Sequence, residues 1–265
     1  MNDTFNLTRF SLLLKKTVLE RPVQLIGLMG LILCFTLILY SLVLYSIDYG
    51  SAQNISFIWG FIGGGTVLAS FVFGYFNTNA GGSAYLTLPA SALEKWLCSV
   101  LIAGIFFLVI FLSFYRVMDY IFVTAYHKGL DHTSPLYQRL YDHVYLYPLY
   151  QNNVVNKVYI IWANCAGVML IGSLYFNRVA IVKVSLLVCV VLGCIYFLNL
   201  AVASALFSNI DVAFPFYTVL IKVRSEVGVI QLPQRAYQMS DIFINYILPA
   251  TLWITAYIRL REKEI

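Results

Sequence analysis

The sequence predicts an all-α, polytopic membrane protein with six transmembrane helices. Three observations carry that class. Only 11% of the 265 residues are charged, where a soluble domain carries about 25%. Mean hydropathy is +0.81. The apolar residues are gathered into six runs, each long enough at about 1.5 Å per residue to cross or nearly cross a hydrocarbon core of about 30 Å.

One domain, residues 1–265, accommodates all six runs. The net charge of +5 is no sign of nucleic-acid binding, because the basic residues flank the apolar runs and so act as a topology signal. Cys34, Cys98, Cys165, Cys189 and Cys194 all lie inside apolar runs. With no histidine at ligand spacing, they read as small buried hydrophobes and not as disulfide or metal ligands. The first apolar run is too long for the core of a signal peptide and is expected to remain as a membrane helix.

Residues 4–20 set Phe10, Leu13, Leu14, Thr17 and Val18 on one helical face and Ser11, Lys15, Lys16 and Glu20 on the other. This is the pattern of an interfacial helix lying on the lipid bilayer. The first membrane helix is expected over 22–47, followed by a polar turn at 48–54. The second is expected over 55–76 and carries Gly60, Gly63, Gly64 and Gly65. Gly60 and Gly64 have the GxxxG spacing of a close helix–helix contact. The glycines also weaken the helix by about 1 kcal/mol each relative to alanine. No phosphate-loop sequence occurs anywhere in the chain, so any ATP hydrolysis belongs to another polypeptide.

Residues 77–95 form a turn-rich, charged loop that opens the third span. Pro89 stops preceding structure or opens a helix. Ser91 and Glu94 have the spacing of a capping box. Lys95 and Trp96 suit a snorkelling cation and an interfacial indole. The stretch reads either as a membrane-entry cap or as a docking element that presents Glu94 and Lys95 to a cytoplasmic partner. The third helix, over 96–123, contains Arg116 and Asp119 one turn apart, where they can pair. These are charges reaching the outer interface among Tyr115 and Tyr120, or a polar lining of a transport path. Residues 127–157 hold all three histidines, with Asp131 and Asp142 nearby. Their spacing matches no metal motif, and Tyr137, Tyr141, Tyr145, Tyr147 and Tyr150 suit a belt at headgroup level.

The fourth helix is expected over 158–176 and the fifth over 184–207. Asn199 in the fifth either bonds across helices or lines the polar path. Within the outer segment 208–241, the apolar stretch Val212–Ile221 is too short to span and contains Pro215. A short re-entrant or interfacial element is therefore expected before the last helix. That helix covers 242–258, with a kink at Pro249. Basic residues at Arg9, Lys15, Lys16 and Arg21, at Lys95, at Arg178 and Lys183, and at Arg259, Arg261 and Lys263 put both termini in the cytoplasm.

The loop of residues 85–97, YLTLPASALEKWL, resembles the LPxS-x-x-EK loop of permease subunits of bacterial ABC-2-type exporters. Residues 257–265, YIRLREKEI, are similar to the final helix exit of that group. The resemblance implies a multi-pass protein of the bacterial plasma (inner) membrane. It further implies that Leu88, Pro89, Ser91, Glu94 and Lys95 couple to a separate ABC ATPase subunit, which carries the ATP. The N-terminal helix would help dock that ATPase, and short re-entrant helices would precede the last span. A second permease subunit, the same or related, is implied; catalysis and a cofactor on this chain are not. Two other classes stand beside this one: a non-transporting accessory or immunity-type membrane protein, and an intramembrane enzyme. The enzyme would need a Ser–His or paired-carboxylate arrangement at membrane depth, whereas every histidine falls in one outer segment. The cargo is not legible.

Overall fold

The computed structural model describes residues 5–150, 153–176, 180–206, 210–215, 218–223, 226–231 and 233–264. Among the described residues, six helices are long and apolar enough to cross a membrane: Val23–Ser46, Tyr49–Val72, Ala92–Lys128, Asn153–Tyr175, Ala180–Leu206 and Gln234–Glu262. They are called spans one to six below. The amphipathic helix Leu7–Glu20 precedes them, and Asn79–Leu86 and Tyr137–His143 are short helices in two connections. The chain is an all-α multi-pass membrane protein.

Several boundaries differ from those expected, for local reasons. Asp48 caps span two by accepting from the Ser51 N–H at 3.3 Å; hydrogen bonding from the Ser51 side chain, with that N–H, holds its carboxyl below the usual range. The polar stretch 48–54 is therefore the first part of span two and not a turn. That span ends at Val72, where Phe73 leaves helical geometry (φ −93°, ψ 25°). The loop 77–95 contains the helix Asn79–Leu86, capped by Thr78. Span three starts at Ala92, behind Ser91, and continues to Lys128 before Gly129. Spans four, five and six begin at Asn153, Ala180 and Gln234, earlier than 158, 184 and 242. Helical hydrogen bonding continues through polar residues once it has nucleated, so composition marks the apolar zone and not the helix end.

Four spans contain a wide, π-helical turn: Val23–Gly27, Trp59–Gly63, Leu101–Phe106 and Phe243–Ile247. The last precedes Pro249, whose ring and missing N–H disturb the bond to the Asn245 carbonyl. The irregularity expected at Pro249 is thus a widened turn just before it.

Spans two, three and four form the centre. Of their most apolar stretches 44%, 39% and 50% is buried, against 6% in spans five and six. Phe57, Phe61, Phe107, Phe111 and Tyr115 are fully buried. They make a column of rings with centroids 5.1–6.3 Å apart, the offset and edge-on separations aromatic pairs favour. Gly60 and Gly64 lie against span one. A Cβ on Gly60 would meet Thr36 Cγ2 at 2.9 Å and Phe111 Cζ at 3.0 Å, and one on Gly64 would run into the Ile32 side chain. Gly60→Leu and Gly64→Leu should each destabilise by about 1–3 kcal/mol or more through overpacking, read as a lowered unfolding temperature in detergent. A Cβ on Gly63 would have nothing within 4 Å, so Gly63→Ala should melt at or above the wild-type temperature. A Gly63→Ala loss as large as that of Gly64→Leu would show that these glycines supply backbone freedom and not contact.

No re-entrant helix stands between spans five and six among the described residues. The segment forms a three-stranded antiparallel sheet, β1 (Ile210–Ala213), β2 (Thr218–Val223) and β3 (Glu226–Gln231), paired in that order. In register, Val212 faces Leu220 and Val219 faces Ile230. The short element expected before the last helix is thus built from strands, and the cause is composition: β-branched Val and Ile recur through both β2 and β3 and favour strand. Pro215 sits in the β1–β2 connection, where its missing N–H costs no ladder bond.

Candidate functional site

The base of span three gathers both ends of the chain. Ser91 Oγ accepts from the Glu94 N–H at 3.3 Å, and the Ser91 N–H donates to Glu94 Oε2 at 2.9 Å. This closes the capping box. The other carboxylate oxygen, Oε1, accepts from the Asn6 N–H at 2.8 Å and from Arg9 Nη2 at 3.0 Å. Lys95 Nζ donates to the Leu86 carbonyl at 3.0 Å and to Glu264 Oε1 at 2.7 Å. Trp96 Nε1 donates to the Trp253 carbonyl at 2.9 Å. Successive helical residues point about 100° apart. Glu94, Lys95 and Trp96 therefore catch three different elements: the amphipathic helix, the chain end and span six.

Glu94 is 0% and Lys95 1% exposed. The expectation that they present their charges to a partner is corrected: both are turned into the chain, where buried charges require partners. Between the helix Asn79–Leu86 and Ser91 the exposed residues are Thr87 and Pro89, with Leu88 partly buried. The amphipathic helix docks on the same base. Its Leu13 and Thr17 are buried, Cys98 Sγ approaches Thr17 Oγ1 at 3.8 Å, and Arg21 lies 3.8 Å above the Tyr75 ring.

The far end of span three holds a second polar cluster. Asp119 is 0% exposed and does not pair with Arg116. Its Oδ1 accepts from Tyr40 Oη at 3.1 Å and Gln53 Nε2 at 2.9 Å, and its Oδ2 accepts from the Tyr147 N–H at 2.8 Å. Arg116 donates to the Tyr147 carbonyl at 3.1 Å. Gln53 also donates to the Tyr145 carbonyl at 2.9 Å. Tyr147 Oη donates to Asn54 Oδ1 at 3.1 Å; burial pushes that phenol up to about 12, so it keeps its proton. One carboxyl thus ties spans one, two and three to the extended strap 144–149.

Asn199 is the third residue assigned to a polar path, and it lies apart from Asp119. It donates to the Ala213 carbonyl at 3.1 Å, so β1 is fastened against span five. The structure brings together Leu88, Pro89, Ser91, Glu94 and Lys95. It does not bring together Arg116, Asp119 and Asn199 as a common lining. The partners of these groups, Asn6, Arg9, Glu264, Tyr40, Gln53 and Tyr147, were not singled out from sequence for these contacts. The one legible signal for them was the charge of Glu94, Lys95 or Asp119 at the edge of or inside an apolar run, which had to be satisfied. Among the described residues, no group of three or more His, Cys, Asp or Glu is placed to hold a metal, and no cysteine is in a disulfide.

Comparison with protein-family models, with curated proteins and with solved structures finds no match for this chain.

Proposed function

We propose that this chain is the membrane-spanning permease subunit of an ABC-2-type exporter in a bacterial inner membrane. It works with a separate ATPase subunit that binds and hydrolyses ATP, and with a second permease subunit. The resemblance of residues 85–97 to the coupling loop of that group supports this, and one observation carries it mechanically. The loop surface at Thr87 and Pro89 is continuous, through a closed capping box, with a helix of 37 residues, about 55 Å long. A displacement imposed on the loop by a docked ATPase enters the membrane through a stiff element and arrives at the Asp119 cluster. That cluster has the discrete contacts a two-state transition needs. The side chains of Glu94 and Lys95 act in this scheme by holding the loop and not by touching the ATPase.

Arg9 on Glu94 and Glu264 on Lys95 bring residues near both termini to the loop side. The basic residues of that side support a cytoplasmic location. The test is purification of the full chain from its native membranes after mild cross-linking through Thr87→Cys. A polypeptide with a phosphate-loop sequence should be captured, and ATP hydrolysis should accompany it. Capture of no such polypeptide, or exterior activity of a reporter fused after Ile265, would overturn the proposal and favour an accessory membrane protein.

A further inference from the structure

At the end of span three opposite the chain ends, an open cleft of about 630 Å³ lies between that helix, the short helix Tyr137–His143 and the strap that follows it. Its volume falls within the range of small-molecule sites, about 300–1,000 Å³. Rings line it in a row: His127 stacks on Tyr141 at 4.0 Å, Tyr141 lies 5.8 Å from Tyr137, and Tyr137 lies 4.7 Å from His132. His127 Nε2 is held by the Val144 carbonyl at 2.9 Å, which fixes the wall. Lys128 and Asp142 also line the cleft. Among the described residues, neither charge has an ion-pair or hydrogen-bond partner, and they are not paired with each other.

An unpaired ammonium and an unpaired carboxylate sharing one ring-lined cleft complement a ligand that carries both charges. The depth says where such a ligand resides. Tyr120, which lines the cleft, lies about 36 Å along the helix from Trp96, past a hydrocarbon core of about 30 Å, and Lys128 lies about 12 Å further out. The cleft therefore begins at headgroup level and runs outward from it. We propose that it binds the zwitterionic phosphoester headgroup of a membrane lipid of the phosphatidylethanolamine type. Lys128 and His132 take the phosphate. Asp142 and the faces of Tyr137 and Tyr141 take the ammonium, by charge and by cation–π attraction.

The test uses the full chain in detergent, with binding of short-chain phosphatidylethanolamine measured by native mass spectrometry. Glycerophosphoethanolamine and short-chain phosphatidylglycerol serve as comparison probes. Lys128 and Asp142 are exposed, so Lys128→Met and Asp142→Asn should keep the wild-type unfolding temperature. Each should weaken phosphatidylethanolamine binding about tenfold, the value of a lost charge-assisted hydrogen bond. Phosphatidylglycerol should respond to Lys128→Met alone, and the chain-free headgroup should bind more weakly than the lipid. Unchanged phosphatidylethanolamine binding in Asp142→Asn would reduce the cleft to an anion site and overturn the proposal, as would indifference to both variants. Equal affinity for glycerophosphoethanolamine would overturn the lipid source in favour of a free zwitterion.

Discussion

Asp119→Ala is expected to release the strap 144–149 and to cost about 3 kcal/mol or more. The alanine leaves three buried donors, Tyr40 Oη, Gln53 Nε2 and the Tyr147 N–H, without the acceptor they share. Each buried donor left unmade costs about 1–3 kcal/mol, and water penetration into the gap recovers part of it. Asp119→Asn tests the chemistry more finely. It keeps the shape but turns one acceptor into a donor, which then faces either the Tyr147 N–H or the Gln53 amide. The asparagine variant should fall between wild type and alanine in unfolding temperature. Limited proteolysis should show faster cleavage near Tyr145 in both variants. If Asp119→Ala melts with the wild type and the strap stays protected, the strap is held by the packing of Val144, Tyr147 and Leu149 alone, each less than 7% exposed.

What the sequence showed of this molecule tracks the distance over which each interaction acts. The Ser91–Glu94 capping box spans three residues and was readable as a spacing. The second face of the same carboxylate, held by Asn6 and Arg9 from 88 and 85 residues away, was not, and neither was the contact of Lys95 with Glu264 across 169 residues. The six spans were legible because hydropathy is a local average. Their ends were less so: Asp48 carries a cap signal for span two, but the polar residues behind it imitate a turn. Residues 212–221 were recognised as too short to span, yet the choice between helix and strand depends on pairing with residues 226–231, which a single apolar run does not display. Asp119 stood out only as a charge in an apolar helix. Its neighbour Arg116 was a plausible partner at helical spacing, but Asp119 lies on the buried face of the helix and Arg116 on the exposed one.

Glu94→Lys is expected to undock the amphipathic helix from the base of span three. The carboxylate is 0% exposed, accepts three hydrogen bonds and pairs with Arg9 at 3.0 Å. A lysine there removes all of these and sets a third cation beside Arg9 and Lys95. Leaving a buried charge uncompensated costs about 3–5 kcal/mol, and the 29% exposure of Arg9 places the cost at the low end through solvent screening. The readout is maleimide modification of Leu13→Cys, a position only 5% exposed while the helix is docked. Modification should be several-fold faster with Glu94→Lys than with the parent sequence. Glu94→Gln keeps one acceptor oxygen for the cap but loses the ion pair, so it should give a smaller increase. Arg9→Glu combined with Glu94→Arg restores opposite charges without restoring the capping box or the bond from Asn6. Partial recovery of protection in that double variant would assign the remainder to the cap, whereas no recovery would make the charge pair incidental. Under the proposed function, capture of the ATPase should fall in step with Leu13→Cys exposure. Loss of capture while Leu13→Cys stays protected would mean that Glu94 acts on the partner by another route than holding the loop and the amphipathic helix together.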